Sequence, residues 1–153
     1  MADIDENGVI KGVAPGVTTI YYTANDGNGV TSECKVIVRN PEVEYVGDIY
    51  YLFDKAKKEA TVTSIYGGKN KSFEAEKVAQ VYTGTVSIPE QTTFNAVTYD
   101  VKKVGGYAFT CQNELQALRV GAFVEKIEDN AATKAMNLNR VTVANASQLV
   151  TVG

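Results

Sequence analysis

Histidine is absent from this 153-residue chain, and with it the commonest general base, metal ligand and partner of a serine or cysteine nucleophile. Carboxylate or lysine chemistry stays open on composition alone, but no nucleophile constellation or metal-ligand cluster is legible. No catalytic residue, cofactor or metal is therefore expected. No long apolar run exists either: the longest, residues 49–53, is far short of the ~20 needed to cross a bilayer. The opening Met1-Ala2-Asp3-Ile4-Asp5 lacks the charged and apolar regions of a signal peptide. Basic blocks are missing too. With 15 basic and 18 acidic residues and a net charge of −3, the chain has no stripe to displace phosphate counterions, which argues against nucleic acid. Its two cysteines, Cys34 and Cys111, fit no disulfide framework or zinc spacing. Two buried apolar thiols are the expectation.

What is present is a soluble, folding composition, 44% hydrophobic and 22% charged, and an internal echo. Val104, Ala108, Leu115, Leu118 and Val120 recur as Ile127, Ala131, Leu138, Val141 and Val143, each 23 residues later. The shared pattern Leu115-x-x-Leu118-x-Val120, then Leu138-x-x-Val141-x-Val143, resembles the rung of a leucine-rich repeat, whose period is ~20–29 residues. Each rung should place those aliphatic side chains inward against the next. Such a coil offers an extended surface rather than a catalytic pocket.

Residues 1–40 read as short strands between turns. Asn7-Gly8 and Ala14-Pro15-Gly16 punctuate them, residues 17–24 suit a half-buried pleat, and Asp26-Gly27-Asn28-Gly29 turns the chain before Cys34-x-Val36-x-Val38. Asp5-Glu6-Asn7-Gly8-Val9-Ile10, Gly12-Val13-Ala14-Pro15-Gly16-Val17-Thr18-Thr19-Ile20 and Cys34-Lys35-Val36-Ile37-Val38 together resemble the C-terminal half of a group 2 bacterial Ig-like domain. That likeness implies a partial β-sandwich whose first strands are missing, so Met1 is expected to mark a fragment boundary. The half-module would then lean on its neighbour.

Beyond residue 40, residues 49–53 and 60–65 should form a hairpin around the charged turn 54–59. Residues 67–72 make a polar loop, and residues 73–81 could hold one helical turn. Val86-x-Ile88-Pro89 reads as an irregular first rung, with Pro89 at a strand end. Val97-x-Tyr99-x-Val101 alternates as a strand. Ala60-Thr61-Val62-Thr63, Tyr82-x-Gly84-x-Val86-x-Ile88-Pro89, Tyr99-x-Val101 and Val104-Gly105-Gly106-Tyr107-Ala108-Phe109-x-Cys111-x-x-x-Leu115 occur in that order. They resemble the start of a BspA-type leucine-rich repeat region, over roughly residues 44–153. The resemblance implies a cap (44–103) ahead of repeats (104–153), in a secreted or surface-anchored protein of Bacteroides relatives and other microbes. Some members adhere to host matrix proteins. The departures are Ala131-Ala132 where Ala-Phe is expected, Lys134 in place of cysteine, and Phe123 and Ala146 where the family places asparagine.

The expected fold is thus mainly β: a partial Ig-like sandwich, a hairpin cap and a short solenoid. The expected function is a non-catalytic surface module contacting a host matrix protein or a glycan, without membrane insertion. A structural spacer is the second reading. Candidate contact residues lie outward on the rung strands: Ser87, Ala117, Arg119, Arg140 and Thr142, with the two arginines diagonal on adjacent strands. Arginine is enriched at protein contacts. Asp3-x-Asp5-x-Asn7-Gly8 opens like a calcium loop, but Ala14 stands where that loop needs an acid, so turn chemistry is the better reading. Tyr50, Tyr51, Tyr66, Tyr82 and Tyr107 are expected to pack beside the strands rather than to bind.

Overall fold

A computed structural model describes residues 2–24, 27–68, 74, 78–145 and 147–153. Among these the chain is all β, with no helix. Residues 73 and 75–77 of the segment 73–81 lie outside the described residues, as does Ala146.

The first 38 residues make two separate antiparallel hairpins. Strand β1 (Ala2–Ile4) pairs with β2 (Ile10–Gly12), and β3 (Gly16–Thr23) with β4 (Thr31–Val38). Asp5 shapes the first turn, its carboxylate accepting the backbone N–H groups of Asn7 and Val9 at 2.9 Å each. That is the turn chemistry the motif implied. The second hairpin has no sheet over it, so Tyr21, Tyr22, Val30 and Ile37 stand exposed. Cys34 shares this exposure, which corrects the expectation of two buried thiols; Cys111 alone is buried. Cys34 lies toward the outer end of the ribbon, whereas only its inner end is covered, through Val17 packed on Tyr66, Val78 and Cys111. At the junction Asn40 is buried, donating its N–H to the Ile65 carbonyl at 3.1 Å and accepting the Glu42 N–H at 3.0 Å.

From residue 44 the chain coils. Strands β5 (Glu44–Val46), β6 (Ile49–Asp54) and β7 (Glu59–Val62) form an antiparallel meander. The hairpin of β6 and β7 is three residues shorter at its far end than the sequence suggests, because residues 63–65 peel off toward the Asn40 junction. Then β8 (Gly84–Ile88), β9 (Gln91–Phe94), β10 (Val97–Val104), β11 (Leu115–Val120), β12 (Lys126–Ile127), β13 (Arg140–Val143) and β14 (Thr151–Val152) follow. Two parallel ladders result. One runs β7, β10, β12, β14, with β6 and β5 closing its first end; the other runs β8, β11, β13. Each turn of the coil contributes one strand to each ladder, and the aliphatic side chains fill the space between.

The 23-residue echo is the register itself. Leu118 pairs with Val141 and Val120 with Val143 on one ladder, Val104 with Ile127 on the other. The first rung is irregular as expected, Val86 and Ile88 lying opposite Leu118 and Val120. Gly121 marks a close approach of two turns: a Cβ there would lie 2.8 Å from the Ile88 carbonyl oxygen and 2.9 Å from the Glu90 nitrogen. Corners stack as well as strands, with the Phe109 N–H on the Ala131 carbonyl (2.6 Å) and the Cys111 N–H on that of Thr133 (3.0 Å). Left-handed backbone recurs at the same spacing: Tyr107 (φ 62°) and Cys111 (φ 55°) are echoed by Asn130 (φ 60°) and Lys134 (φ 55°).

Burial fades along the coil. Leu115, Leu118 and Val120 are buried, whereas Val141 and Val143 are 53% and 39% exposed. They point the same way as their partners but meet no further turn. An apolar hollow of about 360 Å³ opens there, lined by Leu118, Val120, Ile127, Leu138, Val141 and Val152 among others. The second repeat's departures fall at this end, with Ala132 half-buried against the core and Lys134 exposed.

One turn is locally strained. Asn95 (φ 50°) and Ala96 (φ 62°) connect β9 to β10 in a two-residue left-handed turn, which suits Asn followed by Gly. Ala96 carries a Cβ in that region at a cost of about 1–2 kcal/mol. Ala96→Gly is expected to raise stability by about 0.5–1 kcal/mol after the extra chain entropy is deducted. Thermal melting of the variant checks this, and a lowered midpoint contradicts it.

Candidate binding face and an adjoining cleft

The outward side of the β8–β11–β13 ladder is a small grid. Its first row is Thr85, Ala117 and Arg140; its second is Ser87, Arg119 and Thr142. All five residues singled out from the sequence therefore share this face, and the two arginines are diagonal across adjacent strands. Thr85, missed in the sequence reading, stands in the same register as Ser87, and alternation two residues back along the strand could have found it. Ala117 is half-buried and the other five are exposed. The Thr142 hydroxyl donates, at 3.5 Å, to the Leu118 carbonyl, so it serves the ladder edge as well as the surface.

The two faces of the coil differ in charge pairing. On the β10–β12 side, Lys102 meets Glu125 at 2.8 Å and Gln148 at 3.2 Å, and Glu128 receives Lys103 at 3.5 Å and Lys126 at 4.0 Å. The Gly106 N–H donates to Glu128 at 3.0 Å. That bond, ahead of the two lysines, holds the Glu128 carboxyl below its ordinary value. The Glu125 contact raises Lys102 in turn. Arg119 and Arg140 form no ion pair with any described residue. One face has neutralised itself; the other keeps two cations toward solvent.

The tyrosines divide. Tyr51, Tyr66 and Tyr82 are buried, as expected, and Tyr50 and Tyr107 are half-buried. Burial pushes the Tyr51 phenol up to about 12 and raises Tyr82 further. The Tyr82 hydroxyl accepts the Tyr50 N–H at 3.1 Å and donates to the Thr63 carbonyl at 3.3 Å. Tyr66 accepts the Ala79 N–H at 2.9 Å. These phenols are structural. Tyr45, not singled out in the sequence, is exposed on β5 beside a cleft of about 480 Å³ that runs along β8. Tyr45, Gly47 and Asp48 form one wall of this cleft, Thr83, Thr85 and Ser87 the other, and Ile49, Tyr82 and Val86 the floor.

The parallel β rungs with stacked aliphatic ladders are a fold that a solved leucine-rich repeat structure shares. The chain is similar to a leucine-rich cell surface protein from Faecalibacterium prausnitzii, with a TM-score of 0.54 and 24% identity over 74% of this chain, which spans only 27% of that one. Leucine-rich repeat proteins from Bacteroides capillosus (TM-score 0.49, 21% identity, 67% of this chain and 66% of that one) and Bacteroides ovatus (0.49, 16%, 74% and 28%) also match. No family model matches the chain. No curated protein matches it either. Among the described residues no helix is long and apolar enough to cross a membrane.

Proposed function

We propose that this chain is a non-catalytic binding module of a bacterial surface protein of the BspA type, exposed outside the cell. In this reading residues 1–40 are a part of an Ig-like module and residues 44–153 the repeat region. The occupant of the grid is an acidic patch on a partner protein, with a host matrix protein the first candidate. One observation carries the proposal: among the described residues Arg119 and Arg140 form no ion pair on their parallel ladder, while every lysine on β10 and β12 has an acidic partner. Arginines fixed on strands lose little freedom on binding and reach carboxylates bidentately. The surface-protein description of a solved neighbour supports the location.

Surface plasmon resonance of the chain against fibronectin and fibrinogen tests it, with Arg119→Glu/Arg140→Glu as the comparison. The double reversal is expected to weaken binding at least about a hundredfold, taking each central arginine contact as about 2 kcal/mol. Added salt should weaken the wild-type response. Equal binding by the variant removes this face. Flat responses from the wild type against all matrix proteins favour the spacer reading instead.

A further inference from the structure

We propose that the cleft between the β5–β6 turn and β8 is a binding site for a neutral saccharide, adjoining the arginine grid and sharing Thr85 and Ser87 with it. Its volume of about 480 Å³ lies within the ~300–1,000 Å³ usual for small-ligand sites, room for one or two sugar rings. Sugars present hydroxyls around their rims and weakly apolar C–H faces, so a complementary site needs hydroxyls, a carboxylate acceptor and an aromatic plane. The cleft supplies all three. Thr83, Thr85 and Ser87 line one side and are exposed. Opposite, Tyr45 holds its ring 4.6 Å from that of Tyr50 and donates its hydroxyl to the Asp48 carboxylate at 3.1 Å. Gly47 (φ 54°) and Asp48 (φ 66°) occupy a tight left-handed turn between β5 and β6, which fixes that carboxylate at the rim.

Strand alternation adds backbone groups. Gly84 donates its N–H toward β11, to the Glu114 carbonyl at 2.8 Å, so the N–H and C=O groups of Thr85 and Ser87 point to the opposite edge. That edge is the outer one of its ladder, on the cleft side. The lining also excludes competitors. Asp48 is its one charged residue and neither lysine nor arginine is present, which disfavours phosphates and acidic sugars. A single carboxylate is too few ligands for a calcium ion, which takes 6–8 oxygens. The Tyr82 hydroxyl on the floor is committed to the Tyr50 backbone N–H and the Thr63 carbonyl, so the hydroxyls offered to a ligand are those of Thr83, Thr85 and Ser87.

Saturation-transfer difference NMR and calorimetry with lactose, cellobiose, maltose, mannobiose and chitobiose, together with a sialylated lactose, test the assignment. At least one neutral disaccharide should bind at millimolar concentration, and the sialylated one should bind no better. Tyr45→Ala and Thr85→Val should each weaken that binding about tenfold. Asp48→Asn, which suits the left-handed turn, should weaken it similarly while leaving the melting midpoint in place. Arg119→Glu/Arg140→Glu, at positions outside the cleft lining, should keep saccharide binding while losing protein binding, and Tyr45→Ala should do the reverse, which tells the two readings apart. Silence from every neutral disaccharide, equal binding by Tyr45→Ala, or preference for the sialylated sugar would each overturn the proposal.

Discussion

Replacing Leu118 by aspartate is expected to unfold the repeat coil outright. Leu118 is 6% exposed and sits on the middle strand of its ladder, between Val86 and Val141. Truncating such a leucine to alanine costs about 2–5 kcal/mol through lost transfer energy and the cavity left behind. An aspartate adds a carboxylate with no donor among the neighbouring aliphatics, which costs several kcal/mol more. The sum reaches the ~5–15 kcal/mol total stability of an ordinary domain. Val141→Asp is the informative comparison, since the same inward position one turn later is 53% exposed and the charge can stay hydrated. Circular dichroism melts should show Leu118→Asp without a cooperative transition and Val141→Asp with one lowered by only a few degrees. Equal midpoints for Leu118→Asp and wild type would refute the assigned register.

The second large effect is expected at Gln112, a buried amide that clamps the segment entering β8 to the corner before β11. Its Oε1 accepts the N–H groups of Val81 (2.8 Å) and Tyr82 (3.1 Å), and its Nε2 donates to the Ala79 carbonyl at 2.8 Å. Gln80 returns the contact, donating to the Cys111 carbonyl at 2.7 Å and accepting the Asn113 N–H at 2.8 Å. Gln112→Ala strands two buried N–H groups and one carbonyl, each worth about 1–3 kcal/mol. The expected loss is about 3–5 kcal/mol in urea denaturation, allowing for some water entry. Amide exchange at Val81 and Tyr82 should accelerate most. Gln80→Ala, at an exposed position, should cost clearly less. If the two variants prove equally mild, the clamp is not what joins these turns.

The coil was legible because its ladders repeat at a fixed offset, and identical neighbours impose identical side chains. Leu115, Leu118 and Val120 therefore announced both the rung and its inward face, and the outward residues followed by alternation. What lay hidden has no period. Gln112 looks like any polar loop residue until residues 79–82 are folded against it. The cleft depends on Tyr45 and Asp48, some 40 residues before Thr85 and Ser87, brought near only when β5 closes the end of the sheet. Cys34 misled because free cysteine is usually buried, whereas the described residues place no sheet over that hairpin.

The spacing between stacked strands is not constant: Val104 pairs with Val62, 42 positions earlier, Leu118 with Val86, 32 earlier, and Ile127 with Val104, 23 earlier. The hydrogen-bonded rungs thus tolerate circuits of very different length, the surplus being discharged into excursions such as the β9 hairpin. Selection can consequently lengthen or swap an excursion to change what the molecule grips without re-engineering the spine beneath it.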